Sequence, residues 1–127
     1  GILRVLAEMD ASVYTSNTPG FAEFKGALAE NYVLQSLVAQ YNKSLRYWTS
    51  GNTAKIDFIL SDNNEIIPIE VKSDVNTLGK SLIEYQKKYS PRLRIRFSMK
   101  NLNLNGNLVN IPLFLADRTK FFIATIL

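Results

Sequence analysis

In the run Ile66-Ile67-Pro68-Ile69-Glu70-Val71-Lys72, a carboxylate and an ammonium stand two residues apart. The run reads as a strand, in which successive side chains point to opposite faces. Ile67, Ile69 and Val71 then share one face and Pro68, Glu70 and Lys72 the other, with the charged pair side by side at the strand's end. Asp57, in Lys55-Ile56-Asp57-Phe58-Ile59-Leu60, has apolar neighbours on both sides and is expected partly inside. In that strand Ile56, Phe58 and Leu60 share one face, while Asp57 falls on the other with Ile59. Asp57 lies across from the Glu70 region if the register brings the two polar faces together, and sequence alone does not fix that register. Glu30 has Ala27, Val33 and Leu34 at helical spacings of three and four, so it belongs on or beside a packed face. A buried carboxylate is costly unless it is paired, hydrogen-bonded or metal-bound. A hard cation such as Mg²⁺ takes oxygen ligands, keeps several waters and needs only one or two protein carboxylates. Such an ion activates water against a phosphodiester, and Lys72 is suited to stabilising the negative charge that develops. Taken singly, each residue also has a structural reading: a solvated pair, a turn residue or a helix boundary.

The elements that must position these residues follow from periodicity and breakers. Residues 2–9 read as a short helix and Ser16-Asn17-Thr18-Pro19-Gly20 as a loop. Phe21 to about Tyr41 is a long helix, with Phe24, Ala27, Leu28, Val33, Leu34, Leu37, Val38 and Tyr41 recurring at spacings of three and four and Asn42 as its stop. Three strands follow: Leu45 to Thr49, Lys55 to Leu60 and Glu65 to Lys72. They are joined by turns at Ser50-Gly51-Asn52-Thr53 and Ser61-Asp62-Asn63-Asn64. Leu78 to Tyr89 is a second helix. Leu93, Ile95 and Phe97 alternate with Arg92, Arg94 and Arg96 as a fourth strand. Asn101 to Asn107 reads as a polar loop, Val109 to Ile111 as a short strand, and Leu113 to Phe122 as a terminal helix opened by Pro112. The order predicts an α/β domain with a mixed central sheet flanked by helices.

Composition narrows the chemistry. The chain of 127 residues suits one domain, and a hydrophobic fraction of 46% can fill its core. There is no Cys, which excludes disulfides and thiolate metal sites and fits a cytoplasmic protein. There is no His, which removes the usual Zn²⁺ ligands and imidazole bases. Catalysis is left to carboxylates, Lys, Tyr or an oxygen-held metal ion. The sequence starts at Gly1, without an initiator Met, directly in the apolar stretch Ile2-Leu3-Arg4-Val5-Leu6-Ala7, and is expected to be a fragment of a longer protein.

Asp57 followed by a hairpin and Glu70-Val71-Lys72 resembles the D…(D/E)xK signature of the PD-(D/E)XK nuclease superfamily. Glu30 matches the acidic residue of that superfamily's first helix. The order helix, three strands, helix, strand is similar to its restriction-endonuclease-like core. A closer resemblance rests on Lys25-Gly26-Ala27-Leu28-Ala29-Glu30-Asn31-Tyr32-Val33, Tyr47-Trp48-Thr49, Lys55-Ile56-Asp57-Phe58-Ile59 and Ile67-Pro68-Ile69-Glu70-Val71-Lys72, with Ser98-Met99-Lys100-Asn101 and Ile111-Pro112-Leu113 also fitting. These segments look like the domain of unknown function found at the C-terminus of many prokaryotic AAA+-like ATPases. The resemblance implies a metal, Mg²⁺ or Mn²⁺ in its place, on Asp57 and Glu70, a transition-state role for Lys72 and a supporting role for Glu30. It also implies an ATPase module upstream in the same chain. No G-x-x-x-x-G-K-[ST] motif occurs here, so ATP hydrolysis is not expected of this segment. Some nuclease branches carry Gln and Tyr at Q-x-x-x-Y spacing, whereas Gln86 and Tyr89 are three apart.

The formal charge of +4 suits a polyanion. Arg92, Arg94 and Arg96, with Lys87, Lys88 and Lys100 nearby, read either as a phosphate-contacting stripe for nucleic acid, DNA before RNA, or as a solvated strand face. Tyr47 and Trp48 are either base-stacking or core residues. Three functions remain open: a Mg²⁺-dependent DNA endonuclease, a catalytically silent module that binds nucleic acid or a protein and couples it to the ATPase, or a purely structural dimerisation domain.

Overall fold

The computed structural model describes residues 19–50, 54–73 and 79–127. The helix expected over residues 2–9, the Ser16-Asn17-Thr18 part of the first loop, the Gly51-Asn52-Thr53 part of the turn and Leu78, the expected start of the second helix, lie outside them. Helix α1 spans Pro19–Tyr41. Pro19 and Gly20 open the helix instead of preceding it, since a proline's fixed φ and missing N–H cost nothing in a first turn. Asn42 ends the helix in the left-handed region (φ 52°), its N–H donating to Val38 O at 2.7 Å.

The strands are β1 Arg46–Ser50, β2 Ala54–Asp62, β3 Glu65–Val71, β4 Arg94–Ser98, β5 Asn103–Asn105 and β6 Leu108–Pro112. They form one six-stranded mixed sheet in the order β1-β2-β3-β4-β6-β5. The β2–β3 hairpin turns through Asn63 and Asn64, both at positive φ, as a two-residue turn that matches strand twist requires. Helix α2, Lys80–Tyr89, carries the chain from β3 to β4, which pair in parallel. The expected polar loop at Asn101–Asn107 is instead half a hairpin: β5 pairs antiparallel with β6 through a turn that contains Gly106 at φ 61°. Asn-rich sequence hid this strand because its side chains are exposed on the sheet's edge. The terminal helix is also divided. Leu113–Arg118 is a 3₁₀ helix and Thr119–Ile126 is α3.

The sheet separates two apolar clusters. On one face Ala29, Val33 and Leu37 of α1 pack with Leu60, Ile67, Ile69, Val71, Ile95 and Phe97, together with Leu113, Ala116 and Ile123 of the terminal helices. On the other, Leu82 and Tyr85 of α2 pack with Ile56, and Trp48 and Ile59 lean against them. Trp48 is thus partly core, whereas Tyr47 is 72% exposed and is not. Gln40 ties α1 to the terminal helices, donating to Ala116 O at 2.8 Å and accepting from Lys120 N at 2.9 Å.

The sheet has one irregularity. Arg46 pairs with Ile59 and Trp48 with Ile56, so two steps along β1 meet three along β2. The extra residue is a bulge at Asp57–Phe58. It overturns the simple alternation expected for β2. Ile56 and Ile59 pack in the same cluster under α2, while Phe58 and Leu60 face the α1 side.

Phe97 is fully buried between the α1 layer and the sheet. In urea denaturation Phe97→Ala is expected to lose about 3–5 kcal/mol. Phe114→Ala, at a side chain 62% exposed, is expected to stay within about 0.5 kcal/mol of the parent.

Candidate active site

The bulge is what builds the site. The β2–β3 ladder runs from Asp62↔Glu65 to Phe58↔Ile69 and stops there. In β3 the N–H groups of alternate residues point to alternate neighbours. Lys72 N–H points to β4 and donates to Phe97 O at 2.8 Å. Val71 N–H therefore points to β2, where the bulge has removed the backbone partner. The Asp57 carboxylate replaces it, Oδ2 accepting from Val71 N at 2.8 Å. The same alternation explains Pro68 in an interior strand. Its missing N–H faces β4, and that pairing begins only at Ile69.

Glu30 reaches this point from α1. Its carboxyl interacts with that of Asp57 through charge and a side-chain hydrogen bond. Burial and the Asp57 charge raise Glu30 above the ordinary carboxylate range, against the pull of Lys55. Asp57 is also raised, mainly by burial, although the Val71 N–H, Lys55, the Glu30 bond and Lys72 all favour its charged form. Glu70 is 6% exposed. Burial pushes its carboxyl up, the Asp57 charge adds to this, and Lys72 and Arg96 oppose it. Lys72 Nζ lies 3.3 Å from Glu70 Oε1. Glu70 Oε2 is buried with no hydrogen-bond partner.

The four residues singled out in the sequence, Glu30, Asp57, Glu70 and Lys72, are thus brought together. They do not meet as two polar strand faces laid one on the other. Asp57 turns around the sheet's end toward α1, and Glu70 lies on the face opposite Val71. Sequence reasoning missed Lys55, whose charge acts on both Glu30 and Asp57. The signal was available, because Lys55 and Asp57 alternate onto one face before the bulge.

The arginines do not form a uniform stripe. Arg92 lies outside β4 and pairs with Glu65 at 2.9 Å. Arg94 donates to Asn107 Oδ1 at 3.0 and 2.8 Å and to Leu82 O at 3.4 Å. Arg96 stands beside Glu70 in the β3–β4 register. Lys100 is exposed after β4. Gln86 is occupied by the β5–β6 hairpin, accepting from Asn107 Nδ2 at 2.6 Å.

The donor set fits a hard divalent cation. Asp57 and Glu70 would be its oxygen ligands, and the unpartnered Oε2 of Glu70 is a buried oxygen that a cation would satisfy. Among the described residues no group of three or more His, Cys, Asp or Glu side chains stands ready to hold a metal. A cavity of about 240 Å³ opens beside Glu30, lined by Ala27, Asn31, Leu34 and Phe58. Larger cavities lie elsewhere, near Asp62, Arg92 and Lys120 and near Tyr85 and Tyr89, and none of the four residues lines them. The acidic centre is singled out by its charges and not by its volume.

Fold and site together define a mixed α/β domain whose sheet ends in a carboxyl–lysine centre. The chain belongs to the family described as domain of unknown function (DUF4143), which matches residues 25–114 and so includes Glu30, Asp57, Glu70 and Lys72. No curated protein and no solved structure matches the chain. Among the described residues no helix is long and apolar enough to cross a membrane.

Because Glu70 has a raised pKa in the fold, the folded state holds a proton that the unfolded chain has lost, between about pH 4 and the raised value. Stability from this group falls as pH rises through that window and stays low above it. Glu70→Gln is therefore expected to melt a few degrees above the parent at neutral pH in EDTA, with the gap closing toward about pH 4. Thermal melts across pH measure it, and a gap that stays constant with pH would contradict the assignment.

Proposed function

We propose that the chain is a PD-(D/E)XK nuclease-like domain with a restriction-endonuclease-like core, and that its centre hydrolyses phosphodiester bonds in DNA with Mg²⁺, or Mn²⁺ in its place. The observation that carries this reading is the meeting of Glu30, Asp57, Glu70 and Lys72 at the bulged end of β2 and β3, with one buried Glu70 oxygen left unpartnered.

A divalent ion on Asp57 and Glu70 would polarise a phosphoryl oxygen and lower the pKa of a bound water. The chain's own residues account for the rest. The Val71 N–H fixes the orientation of Asp57. Glu30 supports Asp57 from α1, while Lys55 offsets part of the repulsion between the two acids. Lys72 brings a positive charge next to Glu70, where negative charge on a phosphoryl group would be stabilised.

In this reading residues 1–127 form one domain, the C-terminal part of a longer prokaryotic, cytoplasmic chain with an AAA+-type ATPase module upstream. That module is its partner within the same chain. The segment itself has no Walker motif and is not assigned ATP hydrolysis.

A second reading is a catalytically silent module that binds nucleic acid or protein for the ATPase. Two observations favour it. All three carboxyls are raised, chiefly by burial, which disfavours the charged form that a cation would bind. Among the described residues, no three-ligand metal group is preformed.

Incubation of the purified protein with plasmid and single-stranded DNA and Mg²⁺ or Mn²⁺ separates the two. Cleavage is expected, with Lys72→Ala slower by about 10²–10³-fold. Absence of cleavage, or equal cleavage by Lys72→Ala, rules out the nuclease. Salt-dependent binding without cleavage supports the silent module.

A further inference from the structure

Glu70, Arg96 and Asn110 form one cross-strand row, since Glu70 pairs with Arg96 across β3–β4 and Arg96 with Asn110 across β4–β6. Ile95 and Phe97 alternate into the core, so Arg96 points to the opposite face, the one on which Glu70 lies. Asn110 is 2% exposed. Its Oδ1 accepts from Arg96 Nε at 3.1 Å and from Ser98 Oγ at 2.6 Å. Its Nδ2 donates to Lys100 O at 3.1 Å and Asn101 O at 2.9 Å. Both lone pairs and both N–H groups of this amide are thereby used. A buried amide satisfied on every side cannot rotate without stranding a polar group, so it is a rigid mount.

That mount fixes the guanidinium of Arg96 through Nε, and the charge it holds still reaches the Glu70 carboxyl. The other two arginines have different tasks. Arg94 is spread between the β5–β6 turn and the backbone of α2, and Arg92 pairs with Glu65 at the other end of β3. The row therefore discriminates among three residues that the sequence presents as equivalent. A planar guanidinium held in one orientation suits phosphate oxygens, because less freedom is lost on forming the contact.

We propose that Arg96 is the arginine of this chain that contacts a backbone phosphate of nucleic acid at the carboxylate centre, and that buried Asn110 is its positioning residue. The assignment rests on reading the centre as a phosphodiester site, but it concerns binding and is read without cleavage.

The test is fluorescence anisotropy of a labelled DNA strand with the full chain in Ca²⁺, titrated at several salt concentrations, with melts confirming that each variant is folded. Arg96→Gln is expected to weaken binding and to reduce the slope of log K against log salt by about 0.7–0.9, the loss of one phosphate contact. Arg96→Lys is expected to keep the slope with weaker affinity, because it keeps the charge and loses the fork. Arg94→Gln is expected to lower the melting temperature and leave the slope unchanged. Asn110→Ala is expected to weaken binding in the parent but not in the Arg96→Gln background; Asn110→Ser replaces it if the alanine variant does not fold. A parent slope in Arg96→Gln, an equal slope loss in Arg94→Gln, or an Asn110 effect that persists without Arg96 overturns the assignment. So does absence of DNA binding by the parent at low salt. Binding with these signatures but no cleavage in Mg²⁺ upholds Arg96 and Asn110 while removing the nuclease reading.

Discussion

The hydrogen bond from Val71 N–H to the Asp57 carboxylate is the contact on which the site depends. A sheet that ran regularly to the end of β3 would pair that N–H with β2 backbone and point Asp57 elsewhere. The bulge at Asp57–Phe58 breaks the pairing, and the side chain repairs it. Without the carboxylate a buried donor is stranded, which costs about 1–3 kcal/mol. Without the bulge there is no donor for it to meet. Structure and site therefore share one device: the group that closes the sheet is also the group presented to Glu30 and Glu70.

The charge balance of the centre follows from that closure. The acids are linked in series, with Asp57 acting on both Glu30 and Glu70 where burial disfavours charge, and each is raised as a result. Lys55, Lys72 and Arg96 offset part of the cost from different sides. The burial is left uncompensated at Glu70 Oε2, which has no hydrogen-bond partner. The centre's second layer is as ordered as its first. The Lys72 backbone is held by Phe97 O, and Arg96 is held by Asn110.

Much of this was legible beforehand. Helix α1 announced itself by spacings of three and four over twenty residues and ended where Asn42 supplies a left-handed stop. Glu30, Asp57, Glu70 and Lys72 stood out as charges embedded in apolar runs, and burial of such residues demands partners wherever the chain goes. The β5 strand was not legible, because strand periodicity needs a buried face and Asn103, Leu104 and Asn105 are all exposed. The division of the terminal helix, at Arg118–Thr119, was likewise hidden, because helical spacing does not distinguish a 3₁₀ turn from an α-helical one over so short a segment.

The sequence by itself determined which residues had to be reconciled: an acid on a helix, an acid on one strand, and an acid with a lysine on the next. It could not determine how they meet, because alternation along a strand is a local rule and a bulge is a property of two strands paired together. Only the tertiary structure moved Asp57 out of the alternation and onto the Val71 N–H. Only the packing of β6 beside β4 separated Arg96 from Arg92 and Arg94, since the residue that distinguishes them, Asn110, is fourteen positions away in the chain and adjacent in the sheet.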